Sequence, residues 1–202
     1  MESGALTCWR RDRRHHVHRL LTACRAIERT DVLPGPEADG LWRAATVLLT
    51  VEFAAFARDL HDRAVERFAF LAAPDNPKLV TVLNDLALRD RRLDRVTAQP
   101  ADLGHDFGGL GLYLWSRLGE RYPSRWIDWH DALLALDDAR AAAMGAPTPL
   151  ALPAPRGEEL ARWANSLEEI TKALDQVVVD HLADLFGTDQ PWHLPVAARF
   201  PV

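Results

Sequence analysis

Two long runs of helical periodicity constrain this chain more than any other feature. Across residues 41–72, Trp42, Ala45, Leu49, Phe53, Phe56, Leu60 and Phe68 recur mostly at three- and four-residue steps, the spacing that lines up one face of an α-helix. Across residues 158–186 the same spacing joins Leu160, Trp163, Leu167, Ile170, Leu174, Val177, Val178, His181, Leu182 and Leu185. At 1.5 Å per residue each run spans roughly 45 Å. No segment shows convincing strand alternation, so the expected fold class is all-α, an antiparallel bundle of about five to six helices. Val47, Leu48 and Val51 widen the apolar face of the first run. Its first half is therefore expected to be buried on most sides, as a central helix is.

Punctuation places the remaining elements. Leu20, Leu21, Cys24 and Ile27 make a first stripe, broken by Pro34, Gly35 and Pro36. Asp39 suits the cap of the long helix, and Pro74 ends it. Asp75-Asn76-Pro77 is a start signal, a capping residue followed by proline at the first helical position. Leu79, Val82, Leu83 and Leu86 carry that helix to about Leu93. Residues 94–105 read as a loop and residues 106–121 as a helix, with Leu110, Leu114, Trp115 and Leu118 inward. Pro123-Ser124 precedes a helix with Trp126, Trp129, Leu133, Leu136 and Ala139 in its stripe, and Gly145 closes it. Pro147, Pro149, Pro153 and Pro155 make a stiff linker. The domain organisation this implies is a mobile basic segment over residues 1–14, one helical domain over 15–190, and a tail over 191–202.

Charge and composition narrow the function classes. A chain of 202 residues carries one sizeable core. Its net charge of −5 gives no whole-surface basic footprint for nucleic acid. Only Lys78 and Lys172 among the 24 basic residues are lysine, a compositional bias with little functional weight. Cys8 and Cys24 imply no disulfide framework. The opening residues lack the apolar core of a signal peptide, and the longest apolar stretch, residues 44–57, is interrupted by Glu52 and too short to span a bilayer. A cytoplasmic protein without a membrane segment is expected. Asp106-Phe107-Gly108 lacks every other kinase motif, and Gly108, Gly109 and Gly111 follow no strand, so no nucleotide loop is read there. His61, His130 and His181 are scattered singly and lack the paired spacing of helical metal sites, so neither metal nor other cofactor is expected.

One residue breaks the pattern of the long helix. Glu52 lies within LLTVEFAAFA, and a carboxylate in such surroundings needs partners. Asp59 follows one heptad on, with Arg58 and His61 beside it, so Glu52 and Asp59, with Asp137 from a later helix, form a candidate polar cluster supporting a site.

Three stretches together resemble a known family. Residues 41–65, LWRAATVLLTVEFAAFARDLHDRAV, residues 93–111, LDRVTAQPADLGHDFGGLG, and the pattern from Trp163 through LDQVVVDHLADLFG to Pro191-Trp192 are similar to uncharacterised actinobacterial proteins with a HEPN-like fold (higher eukaryotes and prokaryotes nucleotide-binding). The resemblance covers residues 39–192 and implies a HEPN-like bundle, a homodimer and a defence or toxin–antitoxin setting. Ribonucleases of that superfamily use an arginine, usually followed by asparagine, with a histidine four to six residues on. RNA supplies its own 2′-hydroxyl nucleophile, histidine moves the protons and arginine holds the phosphate. On this resemblance Arg140 takes the arginine position and the phosphate-binding role, with Arg58 as a second phosphate contact. Ala141 stands where asparagine is usual and Gly145 where histidine is expected.

The implied function is a catalytically degenerate module that binds RNA, a nucleotide or a protein partner. The first alternative is an active, metal-independent ribonuclease in which Arg140 works with His61 or His130. Arg125 and His130 also match the arginine–histidine spacing, although they stand about 140° apart around a helix. The second alternative is a purely structural interaction domain in which Arg140 and the carboxylates pair internally.

Overall fold

The computed structural model describes residues 2–30, 35–145 and 155–192. Every regular element among them is helical, as the periodicity requires. α1 (Gly4–Cys8), a π-helical turn (Trp9–Arg13) and α2 (Arg14–Thr30) run on as one rod. α3 (Gly35–Ala72) is the long helix. α4 (Pro77–Leu88) follows, then a 3-10 turn (Arg92–Arg95), α5 (Pro100–Gly108), α6 (Leu114–Arg121), α7 (Trp126–Ala143) and α8 (Gly157–Phe186).

α3 is the axis of the bundle, with α1, α2, α4, α7 and α8 all packed on it. Its inward face buries Trp42, Leu49, Phe53, Phe56 and Leu60 against Leu160, Leu167, Ile170, Leu174 and Leu182 of α8 and Leu133 and Leu136 of α7 in one continuous core. By length and composition residues 37–72 would suffice to cross a membrane, but 61% of their most apolar window is buried inside the bundle. That is how the core helix of a folded domain behaves. The expectation of burial on most sides holds only in part, because Gly40, Ala44 and Val51 face outward on the first half of α3.

Residues 3–14, expected as part of a mobile arm, pack on the bundle. Ser3 caps α1 by accepting the Leu6 N–H at 3.1 Å, and its own N–H donates to both carboxylate oxygens of Asp175 at 3.3 Å. Trp9 is 2% exposed, sits edge-on to Phe56 with ring centroids 5.7 Å apart and donates from Nε1 to Glu168 at 3.1 Å. An indole removes on the order of 200 Å² from water on burial, and that gain outweighs the solvation preference of the arginines beside it, which stay at the surface.

Other boundaries shift for identifiable reasons. Asn76 caps α4 by accepting the Leu79 N–H, with Pro77 at the first position, as expected. α4 stops at Leu88 rather than near Leu93, because Arg89 turns to an extended conformation with ψ 133° and Asp90 follows at a left-handed φ of 59°. The expected loop 94–105 already contains the start of α5 at Pro100. The expected helix over 106–121 is two helices, since the chain turns through Gly109 to Tyr113 with Gly111 at φ 76°. α7 has Arg125 at its N-cap without a side-chain capping bond, so Pro123-Ser124 does not cap it. Asp39 lies inside α3 and does not cap it. Gly145 and Gly187 end α7 and α8 in left-handed conformations. Pro34, Pro147, Pro149, Pro153 and the tail beyond Trp192 lie outside the described residues.

Candidate functional site

Arg140 is held by its own helix. One turn before it, Asp137 is buried and accepts three groups: Arg140 Nε at 2.9 Å, the Ala98 N–H at 3.3 Å and the Gln99 side-chain amide at 2.8 Å. The carboxylate therefore fastens the segment before α5 to α7, and Arg140, with 23% of its side chain exposed, is its counter-charge. This charge-assisted pair uses the Nε of the guanidinium.

Neither candidate proton carrier joins it. His61 on α3 is fully buried. Its ring meets Phe107 edge-on with centroids 5.2 Å apart, and Nε2 bonds the backbone carbonyl of Asp106 at 3.1 Å. That bond makes Nε2 the donor, so Nδ1 faces the core without a partner. Burial pushes the imidazole below its usual range, with the bond to the Asp106 carbonyl opposing it. His130 stands edge-on to Trp115, with centroids 5.1 Å apart, and to Trp126. Among the described residues no hydrogen bond links Arg140 to either histidine. Arg125 is ion-paired to Glu169 of α8, which also accepts Trp129 Nε1 at 3.1 Å, so Arg125 ties α7 to α8.

The polar cluster around Glu52 exists with different members. Glu52 takes Arg13 Nη1 at 3.2 Å on one oxygen and His16 Nδ1 at 3.0 Å on the other, while Arg13 Nη2 reaches Asp59 at 2.7 Å. Burial opposes the charge of Arg13, and its bonds to Asp59 and Glu52 outweigh that and raise its pKa. Asp137 belongs to the separate network of Arg140. Arg58 is half-buried and in no ion pair among the described residues. The partners of Glu52 come from residues 13 and 16, which sequence spacing alone does not bring to α3. The signal that points to them is the demand of a buried carboxylate for a cation.

Several other arginines also meet carboxylates. Arg91 meets Asp62 and Asp94, Arg121 meets Asp180, and Arg14 meets Glu168. Among the described residues no set of three or more His, Cys, Asp or Glu side chains is placed to hold a metal ion. His181 bonds the Leu110 carbonyl at 2.9 Å and is a satisfied packing residue.

The uncommitted surface lies on α4. Val80, Leu83 and Ala87 turn toward the bundle, and no residue of this helix is fully buried. Leu79, Val82 and Leu86 are 43%, 50% and 53% exposed. Beside them Phe68, Leu83 and Leu110 line a groove whose rim carries Arg89 and His105. Periodicity predicts α4 but does not reveal that its stripe faces water. Compared with family models, with curated proteins and with solved structures, the chain matches none.

Proposed function

We propose that this chain is a non-catalytic, HEPN-like helical module that binds a protein partner through α4. The observation that carries the reading is the solvent-facing stripe of Leu79, Val82 and Leu86. Single exposed apolar residues are ordinary, whereas a contiguous stripe on one helix marks an interaction surface. The steps of three and four residues match the anchor spacing of a second helix laid alongside. Arg89 at the rim favours a partner whose apolar stripe is flanked by acidic residues. RNA binding is less well supported, because the net charge of −5 gives no whole-surface basic footprint and Arg140 already bonds Asp137.

Two measurements test the reading. A designed amphipathic peptide with leucines at i, i+3 and i+7 and glutamates beside them should bind in fluorescence anisotropy. Val82→Glu should weaken it by about tenfold or more, since a buried apolar anchor carries much of such an interface, while the circular dichroism spectrum stays unchanged. Equal binding of a lysine-flanked peptide would remove the charge argument. Self-association abolished by Val82→Glu would make the partner a second copy. In an RNA-cleavage assay the wild type should be inert, and cleavage that disappears in Arg140→Ala would overturn the non-catalytic reading. Ala141→Asn with Gly145→His asks whether the implied motif register is right.

A further inference from the structure

We infer that the cavity between α2, α3 and α8 is a binding site for a small apolar carboxylate of about bicyclic size. The two outer helices are tied at both ends of this cavity and stand apart between them. At one end Trp9 and Arg14 bond Glu168. At the other, α8 begins so close to α2 that a Cβ on Gly157 would lie 3.3 Å from a Glu28 carboxylate oxygen and from the Trp42 ring. In the middle the facing side chains are short, Val17 from α2 and Ala164 from α8, and a space of about 230 Å³ remains over a floor of Leu49 and Leu167. A dry cavity of roughly 150 Å³ accepts benzene, so a fused two-ring body fits the larger space.

The mouth selects the charge. Glu168 is the one carboxylate among the lining residues, and its oxygens are occupied: one accepts Arg14 at 3.2 Å and Lys172 at 2.7 Å, the other Trp9 Nε1 at 3.1 Å. These bonds outweigh the effect of burial and hold the carboxyl below its usual range. Three donors thus fill three of the roughly four acceptor sites of the carboxylate. Arg14 has further N–H groups beyond the one given to Glu168, and the side chains of His18 and Asn165 at the mouth make no hydrogen bond among the described residues. Two cations, Arg14 and Lys172, meet this one carboxylate, so the excess charge at the mouth is positive, which suits a carboxylate ligand.

The probes are 2-naphthoate, neutral 2-naphthalenemethanol and cationic 2-naphthylmethylamine, titrated into the full chain by calorimetry. Naphthoate should bind on the order of tenfold more tightly than either analogue, the difference expected from one charge-assisted contact. Arg14→Gln should remove most of that preference and leave the neutral probe unchanged. Ala164→Phe should abolish binding of all three by filling the space. Failure of naphthoate to saturate by about 1 mM, equal affinity for the three probes, or indifference to Arg14→Gln overturns the proposal. Should Ala164→Phe unfold the protein, the surface substitution Arg14→Gln still decides. The site shares no residue with the α4 stripe or its groove, so its failure leaves the peptide-binding reading intact.

Discussion

His61 shows how burial changes what a residue can do. As a free imidazole it titrates near pH 6.5. In the folded chain burial lowers its pKa and the Asp106 carbonyl only partly offsets this. The unfolded chain therefore takes up the proton first as pH falls. The stability contributed by neutral His61 is complete above about pH 6.5 and declines below it, toward the depressed folded value. Urea midpoints between pH 7 and pH 5 should fall for the wild type and fall less for His61→Gln, which retains a donor for the Asp106 carbonyl without a titrating ring. A parallel pH dependence in both proteins would assign the slope to other groups. Asp137 is the second informative residue. Asp137→Ala strands the Ala98 N–H, the Gln99 amide and Arg140 together and should cost about 3 kcal/mol. Arg140→Ala removes a partner with partial solvent access and should cost about 1 kcal/mol. Denaturant titration giving the reverse order would mean that Arg140, and not the carboxylate, organises this corner.

At the scale of elements, starts and stops were readable wherever one residue type enforces them. Asn76-Pro77 and Gly187 act through local backbone geometry, and α4 and α8 begin and end accordingly. The region 90–113 was less readable, because its conformation depends on bonds from elsewhere. Asp106 accepts the N–H groups of Arg92 at 3.1 Å and Leu93 at 2.8 Å, holding the 3-10 turn onto α5. The same turn ends at Val96 in a left-handed conformation, φ 54° and ψ 58°, which is costly for a β-branched residue. Val96→Gly should raise the unfolding free energy by about 1 kcal/mol, a few degrees in a thermal melt. A melting temperature that falls would show that the side chain contributes packing greater than its backbone strain. α4 illustrates the complementary limit. Periodicity reports that a helix has an apolar stripe, but not whether another element covers it.

The molecule as a whole includes its first residues. Trp9 lies in the common core with Phe56, and Ser3 anchors the start of the chain to Asp175. Trp9→Ala should therefore cost about 3–5 kcal/mol, seen as a lower urea midpoint. A change within about 0.5 kcal/mol would return residues 1–14 to the status of a detachable arm. The same packing brings Arg13 and His16 onto Glu52, across 39 and 36 positions of sequence. The sequence by itself determined that this chain is all-α, that α3 and α8 are its long members, that α4 begins at Asn76-Pro77, and that glycines close α7 and α8. Those properties follow from periodicity and backbone chemistry within a few residues. Only the tertiary structure decided which cation meets Glu52, that Arg140 is bound to Asp137, that His61 is sealed in the core, and that α4 presents Leu79, Val82 and Leu86 to water. The physical reason is that pairing and exposure depend on what lies across the gap between helices, and local spacing does not encode the neighbour.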